Sequence, residues 1–171
     1  MRMIALMLAA AALSASAQEA PMAPKPGPEH DLLKARVGEW GSTLKAGGME
    51  AKGSVTYKMD LGGLWLAGSM DSEMFGAKFT GRSLESFHPA KMKFVSVWVD
   101  SMATAPVTME GTYDKESKTF TMAGEGPGMD GKFVKYKSVT KMPDKDTIDM
   151  AMWIGDGKEP MFTVTYKRKK K

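Results

Sequence analysis

The sequence contains no cysteine, so disulfide bonds, thiolate metal ligands and lipid attachment through a cysteine are excluded. It has only two histidines, His30 and His88, and neither lies at metal-ligand spacing from another histidine. We therefore interpret both as surface residues and predict no cofactor and no metal site. No serine stands in a G-x-S-x-G turn. Catalytic signatures are nearly absent, which favours a protein that is not an enzyme.

Long hydrophobic runs are also absent, apart from a short one at the N-terminus. Met3–Leu13 is apolar, follows the basic Arg2 and precedes Ala-Ser-Ala at 15–17, the small-residue pattern of a cleavage site. The run is shorter than the roughly 20 residues that span a bilayer. We predict a signal peptide over residues 1–17, a periplasmic or secreted location, and no transmembrane segment in the mature protein. An uncleaved membrane anchor is the alternative.

Positive charge is modest, with a formal net charge of +4, and much of it lies in the final KRKKK. No basic stripe is interleaved with exposed aromatic residues, so we predict no binding to nucleic acid. The basic tail at 169–171 has the charge to touch acidic lipid, but a solvated, frayed terminus is the simpler interpretation.

Residues 18–28 are rich in proline, and we predict an extended linker that contributes nothing to a core. The stretch PEHDLLKARVG that follows is typical of one short helix. Pro28 suits the first helical position, and acidic residues precede basic ones as the helix dipole favours. Gly38 can end the helix in a left-handed conformation. We assign residues 29–168 to a single domain.

After Gly38 the chain alternates between short β-rich runs and turn signals. The prolines in this part fall in turns or at the starts of runs, where a missing backbone N–H does not interrupt a ladder. Short links require antiparallel neighbours, and ten such strands expose long edges unless the sheet closes. We predict an all-β fold, a ten-stranded antiparallel up-and-down barrel with a short N-terminal helix. The predicted strands span residues 40–46, 50–61, 64–73, 78–87, 92–101, 107–113, 118–125, 132–142, 147–154 and 160–168.

Five stretches that occur in order, PGPEHDLLKARVGEW, WVDSM, EGTYD, TMAGEG and VTYKRK, together resemble an uncharacterised bacterial group, domain-of-unknown-function family 1579. The resemblance covers about residues 26–169 and implies no particular activity. The run VGEW after a short helix is also similar to the G-x-W opening of lipocalins and the wider calycin group. That resemblance implies a calycin-like barrel that binds a small molecule in its cavity.

In lipocalins the tryptophan of this opening packs at the closed end of the barrel, under an arginine from the last strand. The resemblance assigns these structural roles to Gly38, Trp40 and Arg168. The first and last strands of a closed barrel are antiparallel neighbours, so we predict contact between the side chains of Trp40 and Arg168. A guanidinium over an indole face contributes about 0.5–2 kcal/mol.

Strand alternation places aromatic and methionine side chains on the predicted inner face. Glu85 shares this face, and so does Asp100, which follows Trp98 in FVSVWVDSM. Asp100 either contacts a polar group of a ligand or satisfies the backbone where the strand ends, and the second interpretation is the simpler. We predict that a small, largely apolar molecule binds in the barrel, with Glu85 and Asp100 as polar contacts and an apolar lining of Phe79, Phe87, Trp98, Met122, Met150 and Met152.

Three alternatives remain open at this point. Asp100 and Glu85 have faces that agree, so they could form a carboxylate pair of an enzyme at the barrel mouth. The 17 methionines supply thioethers, which suit a carrier of Cu(I), although methionine also fills gaps in a core. A barrel filled by its own side chains would indicate a structural or interaction role. The sequence predicts no oligomeric state.

Overall fold

The computed structural model describes residues 23–74, 76–128 and 130–170, so the predicted signal peptide and the start of the predicted linker lie outside the described residues. The described chain forms helix α1 (Pro28–Lys34) and ten strands. The strands are β1 (Gly38–Ala46), β2 (Met49–Asp60), β3 (Trp65–Met74), β4 (Ala77–His88), β5 (Lys93–Asp100), β6 (Val107–Asp114), β7 (Thr119–Pro127), β8 (Phe133–Asp144), β9 (Thr147–Ile154) and β10 (Phe162–Arg168).

The strands form one closed antiparallel barrel in which each strand pairs with its neighbours in sequence. The ring closes between β1 and β10, where Trp40 lies opposite Arg168. The predicted fold class is therefore confirmed, and the barrel is calycin-like. Every strand end lies within two residues of its predicted position because the glycine, proline and aspartate turns mark the ends clearly.

Helix α1 is shorter than predicted, because it ends at Lys34 rather than near Gly38. Gly38 instead begins β1 with a φ of +133°, outside the left-handed helical conformation that we predicted. A side chain at position 38 would also collide with the guanidinium of Arg168. The glycine therefore makes room for Arg168 where the barrel closes, and it does not end the helix.

The barrel has two different ends, which we call the helix end and the mouth. The helix end carries α1 and the links β2–β3, β4–β5, β6–β7 and β8–β9. The mouth is formed by the five hairpins β1–β2, β3–β4, β5–β6, β7–β8 and β9–β10. Because side chains alternate along each strand, every strand contributes residues to the interior at both ends.

The hydrophobic core is densest at the helix end. Phe94 lies at its centre, with ring centroids 5.2 Å from Phe87 and 5.0 Å from Phe120. Tyr113 extends the aromatic cluster, 4.5 Å from Phe120. Leu33 inserts from α1 and is almost fully buried. The short helix, which would not be stable alone, is held by this burial.

Candidate binding site

The helix end is closed by the predicted contact between Trp40 and Arg168, which the structure confirms. The guanidinium carbon of Arg168 lies 4.1 Å from the centre of the Trp40 ring, and Trp40 is fully buried. The indole Nε1 of Trp40 donates a hydrogen bond of 2.9 Å to the carbonyl of Arg36. The indole therefore has both a cation over its face and an acceptor for its N–H.

Arg168 also holds the end of α1 in place. Its Nη1 donates to the carbonyl of Val37 at 2.7 Å, and its Nη2 donates to the carbonyl of Ala35 at 3.0 Å. Its Nε donates to the carbonyl of Lys145 in the β8–β9 link at 2.9 Å. One planar guanidinium thus joins the helix, the first strand and the last strand, which a lysine could not do.

A salt bridge lies beneath this closure, inside the barrel. Arg36 leaves the end of α1 and pairs with Glu85 of β4, with Nη1–Oε2 and Nη2–Oε1 distances of 2.5 and 2.8 Å. Burial has the largest single effect and lowers the pKa of Arg36, but the charge and hydrogen bonding of Glu85, together with Tyr57, outweigh it and the pKa is raised. Arg36 is therefore charged, and both oxygens of Glu85 are occupied by this salt bridge at the helix end.

Two tyrosines, Tyr57 and Tyr166, surround this salt bridge. The Arg36 guanidinium lies 4.8 Å from the centre of the Tyr57 ring. Burial raises the pKa of both tyrosines, so both remain protonated at neutral pH. Arg36 Nε is buried and has no hydrogen-bond partner among the described residues. The helix end therefore contains a small polar layer within an aromatic core.

Sequence reasoning missed this polar layer. The helix-dipole pattern predicts only that the basic residues near the end of the helix, Arg36 among them, are favourably placed, and it does not indicate a buried salt bridge. A usable signal exists, because Leu33 and Arg36 are three residues apart and share one face of the longer helix that the sequence predicts. The buried Leu33 therefore indicates that Arg36 also points toward the barrel.

The mouth half contains Trp98, which points inward from β5. Its ring stacks on Phe79, with centroids 6.4 Å apart, and lies close to the backbone of Gly81. A Cβ at position 81 would overlap the indole, so the glycine makes room for it. The ring therefore packs against the inner wall of the mouth half.

Asp100 holds Trp98 in this position and also ends the strand. Its Oδ2 accepts a hydrogen bond of 2.8 Å from Trp98 Nε1, and its Oδ1 accepts one of 2.8 Å from the backbone N–H of Met102. Tyr136 lies near enough that Asp100 affects it: burial and the negative charge of Asp100 both raise the pKa of Tyr136. The tryptophan and carboxylate thus form one unit at the rim of the mouth.

The structure does not bring Asp100 and Glu85 together. Asp100 lies opposite Gly81, four residues along β4 from Glu85, which corresponds to about 13 Å at 3.3 Å per residue. Glu85 is also occupied by Arg36. The two carboxylates share the inner face, as predicted, but they lie at opposite ends of the barrel.

The other predicted lining residues lie at different depths. Phe79 and Trp98 lie in the mouth half, and Phe87 belongs to the aromatic cluster of the helix end. The methionines lie near the middle, where Met122 and Met152 each lie directly opposite Ser138 on neighbouring strands. Met150 points into the same region. Sequence reasoning did not select several further inward-facing residues of the middle and mouth, among them Met70, Met109 and Tyr136.

His30 is not a surface residue, so the prediction for it is wrong. It is buried at the third position of α1, and its Nδ1 accepts a hydrogen bond of 3.0 Å from the backbone N–H of Gly27. The side chain folds back because the first turn of a helix leaves backbone N–H groups without partners. His88 is exposed, as predicted. Within the described residues, no three histidine, cysteine, aspartate or glutamate side chains lie together as a metal site would require.

Two surface depressions lie on the outer wall and not in the barrel interior. One, of about 360 Å³, is formed by β7, β8, β9 and the β9–β10 hairpin, beside Lys137 and Trp153. The other, of about 450 Å³, is formed by β8, β9 and β10. The ammonium of Lys137 lies 5.2 Å from the centre of the Trp153 ring, so a lysine already covers that indole.

Across the three described segments of the chain, no helix has the length and apolar character needed to cross a membrane. Comparison with known families gives one finding. Residues 25–168 match the family described as a protein of unknown function, DUF1579. No curated protein matches the chain.

Proposed function

Because the chain belongs to the DUF1579 family, whose description assigns no function, we propose from its geometry that it binds a small, largely apolar ligand in the mouth half of the barrel. A barrel closed at one end and lined with apolar side chains at the other is a common form of small-molecule site.

One observation carries this proposal. At the mouth, apolar side chains that face inward are partly exposed even at positions below the rim. At the helix end, partial exposure of large apolar side chains mostly stays at the last inward position of a strand, as at Phe87 and Tyr113, with Met150 at the second position of β9 as an exception. At the mouth, partial exposure also occurs at the second inward position of a strand, counted from the open end. The partly exposed residues at that second position are Leu44, Trp98, Met109 and Tyr136.

Methionine makes this interior adaptable. Met109, Met122, Met150 and Met152 have unbranched, flexible side chains that can repack around a ligand at little cost. Small inward residues alternate with them in the middle of the barrel, so the long side chains have room to move. These small residues are Ser42, Gly68, Ser83, Ser96, Gly111 and Ser138.

Asp100 supplies polarity at the rim of this site. Each of its oxygens accepts one hydrogen bond from the protein, and a carboxylate oxygen can accept a second. A hydroxyl or amine at one end of an otherwise apolar ligand would therefore find an acceptor beside Trp98. The ligand class that fits best is an apolar molecule with one hydrogen-bond donor.

Binding of an apolar fluorophore tests the proposal. We expect saturable binding, quenching of Trp98 fluorescence, and a loss of affinity of about tenfold or more in Trp98→Ala. Trp153→Ala is the matched control, because Trp153 lies on the outer wall of β9, and it should bind normally. Tight, stoichiometric uptake of Cu(I) without fluorophore binding would contradict the proposal and favour a thioether metal carrier.

We also propose that the protein acts outside the cytoplasm, on the basis of the predicted signal peptide. The mass of protein recovered from the periplasm or the medium tests this, because cleavage after Ala17 leaves a chain that begins at Gln18. A recovered mass that includes residues 1–17 would indicate a retained anchor.

A further inference from the structure

Among the described residues, four mouth hairpins carry a large apolar side chain that is at least half exposed. These are Met49 at 53% exposure, Met102 at 72%, Phe133 at 61% and Met161 at 50%. Each belongs to a different hairpin: β1–β2, β5–β6, β7–β8 and β9–β10 respectively. We call these four residues the mouth ring.

The closed barrel determines how these side chains are arranged. Because the hairpins follow one another around the circumference, the four side chains surround the mouth and do not form one continuous patch. Separate protrusions of this kind do not define a groove with its own shape. They suit a flat, fluid surface that adapts to each side chain.

Charges near the mouth are arranged so that they cancel locally. Acidic and basic residues lie opposite each other across the hairpins, and Lys132 and Lys135 also approach Asp130 and Asp156, each at 3.6 Å. The mouth therefore offers no strong field of either sign to a partner. The opposed pairs are Lys45 with Glu50, Glu73 with Lys78, and Glu125 with Lys135.

The basic end of the molecule is elsewhere. The consecutive cations from Lys167 to Lys170 lie at the helix end, the first two in the last positions of β10 and the others directly after it. An acidic lipid surface would attract this tail and turn the mouth away from it. The neutral, apolar mouth is instead complementary to an uncharged or zwitterionic surface.

We propose that the mouth ring docks on a zwitterionic phospholipid bilayer, with its methionine and phenylalanine side chains inserted at the interface. Apolar side chains gain free energy on leaving water, and the paired charges at the mouth can stay at the level of the headgroups. In this orientation the opening of the barrel faces the lipid. The inference goes beyond the proposed function, because docking does not require an occupied barrel.

Two exposed apolar residues at the helix end provide matched controls. Leu61 is 63% exposed and Met92 is 68% exposed, so each resembles a mouth-ring residue in size and exposure. They lie in the β2–β3 and β4–β5 links, on the opposite side of the molecule. Replacing either one removes exposed apolar surface comparable to that of one mouth-ring residue, without touching the mouth.

Co-sedimentation with phosphatidylcholine vesicles tests the proposal. The variant Met49→Ser/Met102→Ser/Phe133→Ser/Met161→Ser should lose at least tenfold in vesicle affinity, and Leu61→Ser/Met92→Ser should stay within twofold of the unaltered protein. Binding should be insensitive to salt, since no net charge drives it. All variants share the same N-terminus, so any contribution from it cancels in the comparison.

Three outcomes would overturn the proposal. The first is no vesicle binding by the unaltered protein, and the second is equal loss in the two variants. The third is a concentration-dependent dimer that the mouth-ring variant abolishes without vesicle binding, which would make the ring a self-association surface. Thermal melting and fluorophore binding of the same variants report folding and the barrel site, so failure of docking is distinct from failure of ligand binding.

Discussion

The two ends of the barrel use the same alternating strand pattern for opposite purposes. At the helix end, aromatic rings pack on one another, α1 covers part of the opening, and two arginines are held by specific partners. At the mouth, several inward side chains are partly exposed, among them Leu44, Trp98 and Met109. The comparison teaches that stability is concentrated at one end, which leaves the other end free to bind.

Arg36→Ala should give the largest effect, because it leaves Glu85 without its partner in a largely buried position. Breaking one side of a buried ion pair costs about 3–5 kcal/mol, and we expect a loss of unfolding free energy at the lower end of this range. Chemical denaturation measures it. Arg36→Ala/Glu85→Ala should be more stable than Arg36→Ala alone, and equal stability would show that the ion pair is not the cause.

Arg168→Ala should destabilise the fold by about 2–3 kcal/mol, since it removes the contact with Trp40 and the hydrogen bonds to the end of α1. Arg168→Lys should recover only part of this loss, because one ammonium cannot reach three carbonyls. Fluorophore selectivity at the mouth should not change. A change in fluorophore selectivity without a change in stability would contradict the claim that the helix end stabilises the fold while the mouth binds the ligand.

Gly81→Ala tests the mouth, whereas the two arginine variants test the helix end. The added methyl group would push the Trp98 ring off the wall and into the lumen, so we expect about a tenfold loss of fluorophore affinity. Gly41→Ala is the control, because a Cβ there meets nothing closer than 3.9 Å. If both variants bind the fluorophore normally, the wall at Trp98 does not line the binding site.

Asp100→Asn should give the smallest effect. The negative charge of Asp100 disfavours ionisation of Tyr136, so its removal should lower the Tyr136 pKa, while burial keeps that pKa above its ordinary value of 10.0. NMR titration of labelled tyrosine measures this, and Tyr57 and Tyr166 should remain unionised over the same range. An unchanged Tyr136 pKa would show that the charge of Asp100 does not act on Tyr136.

Strand order and facing were predictable from the sequence because both depend on local signals. Turn residues mark the strand ends, and alternation assigns each side chain to the inside or the outside. Alternation does not give depth along the barrel, which depends on the register between strands. This is why Glu85 and Asp100 were correctly placed on one face but lie at opposite ends.

The polar layer at the helix end could not be read from the strand pattern. Arg36 and His30 belong to a short helix, and the direction of each depends on where the helix ends and how it docks. Those features depend on tertiary contacts, chiefly the hydrogen bonds that Arg168 donates to three backbone carbonyls. The helix-dipole pattern therefore does not give the direction of Arg36, and the lack of a metal-ligand spacing does not place His30 on the surface.

The junction formed by Arg168 also has a consequence for the order of folding. Arg168 and Val37 are 131 positions apart, so their contact forms only after nearly the whole chain is present. Hairpins between neighbouring strands can form early, but closing so long a loop costs conformational entropy and slows folding. The barrel therefore closes last, when β10 pairs with β1. A chain that lacks β10 should remain an open, aggregation-prone sheet.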